Sequence, residues 1–244
     1  MAETGHIGIT VEAGHPFFSE IGDRLAERGH TVSFLDPETV VPRSTLAELS
    51  LFVSKRTRPA SIASLRSAAD LGVTTWNSPT GVIAAATRFS QLCLLEGVGF
   101  DVPAAGRTKP AGEYVAKGRY HWSGPPERGG EGDIYEELLA ADPIDFKYYV
   151  VDTGDDYEAA VVRATSKPWD EKRIVGTTDP DPTIVDRITT LLSHLDMRGI
   201  GVDVLHTPDG WYAVDLNPCP SFVGTDLERA VLTSIEDCLA TVSP

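Results

Sequence analysis

Apolar positions in the first part of the chain follow two alternating periods. Ile7-Gly8-Ile9-Thr10-Val11, Thr31-Val32-Ser33-Phe34-Leu35-Asp36, Leu49-Ser50-Leu51-Phe52-Val53 and Val73-Thr74-Thr75-Trp76 are short apolar runs rich in β-formers, which predict strands. Between them, residues 17–28 place Ile21 and Leu25 at helical spacing and end at Gly29, and residues 61–70 end before Gly72. A glycine just past an amphipathic run is a helix stop. The strand–helix alternation predicts a small parallel α/β lobe over roughly residues 5–80.

Beyond Trp76 the pattern changes. Asn77-Ser78-Pro79 opens an alanine- and leucine-rich stretch that predicts one helix through Leu95, and Gly97-Val98-Gly99-Phe100-Asp101-Val102-Pro103 follows. Tyr114-Val115-Ala116-Lys117 is a short strand before a glycine-rich, mobile loop at residues 123–132. Further strands are predicted at 134–139, 146–151 and 157–163, and helices at 182–195 and 226–239.

Two late strands carry acids that break their apolar pattern: Gly201-Val202-Asp203-Val204-Leu205 and Tyr212-Ala213-Val214-Asp215-Leu216-Asn217. The segment between them, His206-Thr207-Pro208-Asp209-Gly210, is built of turn formers. A hairpin with that turn brings Asp203 close to Asp215. Asn217 shares the face, because strand side chains alternate with period two. A lone aspartate at a strand end usually caps or faces solvent. Three hard oxygen ligands together, followed by Pro218-Cys219-Pro220, suit Mg²⁺ holding phosphates.

Composition narrows the classes. An apolar content of 41% in 244 residues supports a packed core. No window of about 18 apolar residues occurs, which predicts no membrane span. The start lacks a basic, then apolar, leader, which predicts no signal peptide. Cys93, Cys219 and Cys238 are too far apart for a metal motif or a disulfide framework, which predicts a reducing cytoplasm. A net charge of −15 with few lysines argues against nucleic acid and anionic membranes as partners, and resembles the surface of salt-adapted proteins. The six histidines show no ligand spacing, although His15 and His121 fall in loops that border the expected cleft. Glu12-Ala13-Gly14-His15-Pro16 is no dinucleotide fingerprint, and no P-loop is present.

Taken in order, these stretches resemble the ATP-grasp enzymes, over essentially the whole chain. The Asn77-Ser78-Pro79 turn, its helix and the Gly99–Pro103 step match the entrance to that fold; many members carry Asp-Lys where Thr87-Arg88 stands here, which leaves the role of Arg88 open. The resemblance implies an α/β fold with α+β lobes: a pre-ATP-grasp lobe (1–83), a lid lobe with the flexible loop (84–154) and a metal-binding lobe (155–244), with ATP held between the last two. By the same resemblance Lys117 holds ATP phosphates beneath the 123–132 flap. Glu136-Glu137-Leu138-Leu139 forms the adenine hinge, with Glu136 opening it and Glu137, Leu138 and Leu139 meeting the base. Asp145 meets the ribose, Lys147 follows it, and Asp203, Asp215 and Asn217 hold the metal. Arg163 lies between nucleotide and acceptor, with Arg173 assisting.

The implied cofactors are ATP and Mg²⁺ or Mn²⁺. The implied reaction is a carboxylate–amine (or thiol) ligation through an acyl phosphate, as in glutathione synthetases and ribosomal-protein glutamate ligases. The acceptor would be a small molecule or peptide, and a homodimer is common in the family. Asp215 in Asp-x-Asn-x-x-Pro-Ser-aromatic, and the run Arg163-Ala164-Thr165-Ser166-Lys167-Pro168, are instead similar to the inositol-polyphosphate kinase branch. That alternative wants a dense basic pocket. A nucleotide-binding module without catalysis is the third reading. Residues 15–17, 55–58 and 221–224 are the candidate acceptor surfaces, and the basic cluster at 55–58 suits an anionic substrate.

Overall fold

The computed structural model describes residues 4–165 and 173–241. Four parallel strands, β1 (His6–Thr10), β2 (Thr31–Leu35), β3 (Leu51–Ser54) and β4 (Thr74–Thr75), form the first sheet in the order β2-β1-β3-β4. Their connections carry α1 (Pro16–Glu27), α2 (Arg43–Leu46) and α3 (Pro59–Asp70). Leu25 and Ile21 of α1 are fully buried, as their spacing predicts.

The stretch read as one helix to Leu95 is two: α4 (Pro79–Ala84) and α5 (Arg88–Gly97). Thr87 breaks it. Its backbone is extended and its hydroxyl accepts a hydrogen bond from the Ser90 N–H, so a side-chain cap outcompetes helix continuation. The alanines before it favour a helix but cannot prevent the cap.

Next comes an antiparallel sheet of four short strands, β5 (Ala105–Gly106), β6 (Tyr114–Lys117), β7 (Glu127–Arg128) and β8 (Ile134–Glu137), in the order β5-β8-β6-β7. Strand β7 lies inside the glycine-rich segment, which is therefore anchored to β6 at its middle. Five longer strands complete the fold: β9 (Ile144–Asp152), β10 (Tyr157–Thr165), β11 (Ile174–Thr178), β12 (Gly199–Thr207) and β13 (Gly210–Asn217), antiparallel, in the order β11-β10-β9-β12-β13. Helix α6 (Pro182–Leu195) precedes β12, and α7 (Glu228–Ala240) closes the chain.

The five-stranded sheet has a packed core on each face. Tyr148, Val150, Val161, Ile200 and Val202 join α6 on one side, whereas Tyr149, Val151, Ala160 and Val162 join α1 and α7 on the other. Two devices tie the first sheet to this one. The buried Asn77 amide donates to the Gly199 and Pro218 carbonyls, both at 2.8 Å, and its oxygen accepts from Arg198 N at 2.8 Å and Gly199 N at 3.1 Å. All its hydrogen-bonding capacity is thereby used where β12 begins and β13 ends. Phe222, fully buried and at φ 53°, packs its ring against Phe17, Phe18, Trp76 and Tyr149. Among the described residues no helix is long and apolar enough to cross a membrane.

Candidate active site

The hairpin acids fall as their alternation predicts. In register, Lys147 on β9 lies opposite Asp203 on β12, which lies opposite Asp215 on β13. Directly opposed residues of antiparallel strands share a face, so one row reads Lys147, Asp203, Asp215. The next row reads Tyr149, Gly201, Asn217. Between Asp203 and Val204 the register shifts, which leaves Val214 as the extra residue of β13. Such a bulge re-aims the backbone, and here the Val214 carbonyl accepts a hydrogen bond from Lys117 Nζ at 2.8 Å.

The four-stranded sheet forms the opposite wall. Val115, Lys117 and Glu136 share one of its faces. Lys117 is buried and pairs with Glu136 Oε2 at 2.7 Å, while Glu136 Oε1 has no partner among the described residues. Burial pushes the Glu136 carboxyl above its ordinary range, outweighing the neighbouring ammonium.

Between the walls lies a cleft. Its lining contains Lys117, Glu136, Glu137, Leu138, Leu139, Asp145, Lys147, Asp203 and Asp215, from five separate segments of the chain. Arg88 also lines it. Apolar Val115, Leu138, Leu139 and Leu205 line the same cleft. At the hinge, the Glu137 N–H donates to the Ala104 carbonyl (2.9 Å) and the Leu138 N–H to the Glu113 carbonyl (3.0 Å). The Leu139 N–H has no partner among the described residues.

Both candidate metal acids are engaged by cations. Lys147 Nζ bonds Asp203 Oδ2 and stands 3.6 Å from Asp145. Burial opposes its charge, but Asp203 and Asp145 outweigh burial and hold Lys147 protonated above its ordinary range. Arg88, brought from the first turn of α5, bonds Asp215 Oδ1 and donates to the His121 carbonyl at 3.3 Å. Burial acts to raise the Asp215 pKa, yet Arg88, then the imidazole of His121 at 3.8 Å, hold it well below the usual carboxylate range. Asn217 Oδ1 accepts from Cys219 N at 3.0 Å. Among the described residues no three His, Cys, Asp or Glu side chains cluster as metal ligands. The candidate donor set is two carboxylates and one amide oxygen, and its chemistry fits Mg²⁺.

Arg163 and Arg173 do not line the cleft. Arg163 is opposite Phe146, on the other face of the sheet from Lys147, and its guanidinium carbon lies 5.9 Å from the Phe146 ring centroid. Arg173 meets Thr165 through the backbone, at the edge of the sheet. Ser166, Lys167 and Pro168 of the kinase-like run lie outside the described residues. The partners that sequence reasoning did not assign are Arg88, singled out but without a role, and His121, seen only as a loop residue near the cleft.

No family model matches the sequence, and no curated protein matches it. Solved structures do. The chain is similar to the ATP-grasp ligase PsnB complexed with a minimal precursor (18% identity, TM-score 0.69, covering 98% of this chain and 99% of that one). It is similar to the macrocyclase MdnC from Microcystis aeruginosa MRC bound with the precursor peptide MdnA (12% identity, TM-score 0.68, covering 97% and 99%). An L-amino acid ligase from Bacillus licheniformis aligns at 12% identity and TM-score 0.74, covering 98% of this chain and 75% of that one.

Proposed function

We propose that this chain, which has the ATP-grasp fold, is an ATP- and Mg²⁺-dependent ligase that joins a carboxylate to an amine or thiol. The observation that carries the reading is the convergence of Lys117, the 136–139 hinge, Asp145, Lys147, Asp203 and Asp215 on one cleft. The hinge and apolar wall receive adenine, Asp145 the ribose, and Lys117 and Lys147 the phosphates. Arg88 joins them, because its guanidinium already meets Asp215 in the lining of the cleft. Mg²⁺ bound at Asp203, Asp215 and Asn217 supplies neutralisation of the phosphate charge. In that state Lys147 and Arg88 exchange their carboxylate partners for phosphate oxygens, which positions and stabilises the transferring group without covalent chemistry by the protein.

The substrate carboxylate oxygen attacks the γ-phosphorus, and ADP leaves. The acceptor nitrogen or sulfur attacks the resulting acyl carbon, phosphate leaves, and the acceptor loses its proton. The 123–132 segment, held to β6 through β7, covers the acyl phosphate and excludes water. The precursor peptides named with PsnB and MdnC support a peptide acceptor. Against a polyol-phosphate kinase stands the charge balance of the cleft: Arg88, Lys117 and Lys147 each face a carboxylate, which leaves no dense basic pocket there among the described residues.

Incubation with ATP, Mg²⁺ and pools of amino acids and peptides, in high salt, is expected to release ADP and free phosphate and to yield a condensed product by mass. A product heavier by one phosphoryl group, without free phosphate, would instead establish the kinase.

A further inference from the structure

Four cationic side chains are buried among the described residues: Lys55, Arg88, Lys117 and Lys147. Arg88 pairs with Asp215, Lys117 with Glu136 and Lys147 with Asp203. Lys55, only 5% exposed, has no carboxylate at ion-pair distance among the described residues; its Nζ donates to the Cys219 carbonyl at 3.1 Å. The nearby acid, Glu12, is bonded to Arg56. A buried ammonium without a counter-ion is costly, and burial pulls the pKa of Lys55 down to about 8. A chain carrying a net charge of −15 has acids in plenty, yet none of the described ones stands at ion-pair distance from this lysine.

Its place in the fold is specific. β1 and β3 are parallel neighbours, and the helices that follow them pack on opposite faces: α1 with Ile7 and Ile9, α3 with Phe52. The crevice beyond the carboxyl ends of two such strands is where open α/β sheets bind ligands. The loop after β1 brings Glu12 and His15 there, and the loop after β3 brings Lys55 and Arg56. The third side is the loop after β13. Its Cys219 accepts from Lys55 through the carbonyl and donates through the N–H to Asn217 Oδ1. Lys55 is thus linked to Asn217 of the candidate metal face through the single residue Cys219.

We infer that Lys55 supplies the missing half of an ion pair whose other half is a carboxylate of the substrate, bound between the loops after β1, β3 and β13. The inference rests on the ligase reading for the substrate's role, though not for the existence of the subsite. One ammonium neutralises one charge, and Glu12 alongside disfavours a doubly charged headgroup, so a single carboxylate group fits better against Lys55 than a phosphate monoester.

The test compares wild type with Lys55→Met, a change that keeps the length and apolar bulk of the stem. Calorimetric titrations would use succinate, glutamate and glycerol phosphate as probes. Succinate and glutamate are expected to bind wild type and to lose at least about tenfold in affinity in Lys55→Met, whose Tm without ligand rises by about 2–4 °C as the uncompensated charge is removed. Equal carboxylate affinities in the two proteins, no carboxylate binding by wild type, or preferential binding of glycerol phosphate would each overturn the inference. So would a lower Tm or failure to fold, which would make Lys55 a structural donor to Cys219. A separate titration of wild type with Mg²⁺ and a non-hydrolysable ATP analogue reports on the ATP reading alone.

Discussion

Asp203→Asn is expected to lower ATP turnover by about 100- to 1,000-fold while leaving the fold intact. The substitution keeps shape and removes one negative charge. Lys147, the cation it frees, still has Asp145 at 3.6 Å, so little stability is lost. Asp215→Asn should lose comparable activity but also stability, because Arg88 is buried and Asp215 is its ion-pair partner. Removing one member of a buried pair costs about 3–5 kcal/mol when the remaining charge is fully enclosed. The Asp215 side chain is 22% exposed, so water reaches Arg88 and the cost falls below that range. Steady-state kinetics and urea unfolding on both variants separate the two effects. Turnover within threefold of wild type in either variant would remove these acids from the chemistry.

Lys117→Met is expected to damage both binding and folding. Nucleotide affinity falls because a phosphate-facing cation is gone. Stability falls because Glu136 is left buried beside an apolar stem, by about 3–5 kcal/mol if it stays ionised. Glu136 has an escape: burial already raises its pKa, and losing Lys117 raises it further. A carboxyl whose folded pKa lies above its unfolded value is accommodated below the unfolded pKa and destabilises as pH rises through the folded one. The deficit of Lys117→Met relative to wild type should therefore be small near pH 5 and grow toward pH 8. Unfolding curves at the two pH values check the sign. Adding Glu136→Leu should restore most of the stability but none of the nucleotide binding, and a deficit that shrinks with rising pH would contradict the pairing.

The row of acids was legible because period-two alternation survives along β12 and, past the bulge at Val214, from Asp215 to Asn217, and a hairpin turn of Pro, Asp and Gly sets their pairing. The order Lys117, Glu136–Leu139, Asp145, Lys147 was legible as motif, and the cleft gathers all of these side chains. Charge partners were not. Arg88 meets Asp215 across 127 positions and Lys147 meets Asp203 across 56, and no local pattern encodes which distant cation faces a given acid. The face of Arg163 required the register of β10 against β9, which sets it beside Phe146 rather than Lys147. The helix break at Thr87 was hidden by its alanine-rich approach, where intrinsic propensity and a capping hydroxyl oppose each other. Strand β7 is two residues long and exposed, so it leaves no hydrophobic signature.

The most direct test of the cleft is calorimetric titration of the protein with a non-hydrolysable ATP analogue, with and without Mg²⁺, in wild type and Asp203→Asn. One site per chain is expected, at least about tenfold tighter with Mg²⁺ in wild type, with loss of that Mg²⁺ enhancement in the variant. Absence of binding, or binding that Mg²⁺ strengthens equally in both proteins, would contradict it.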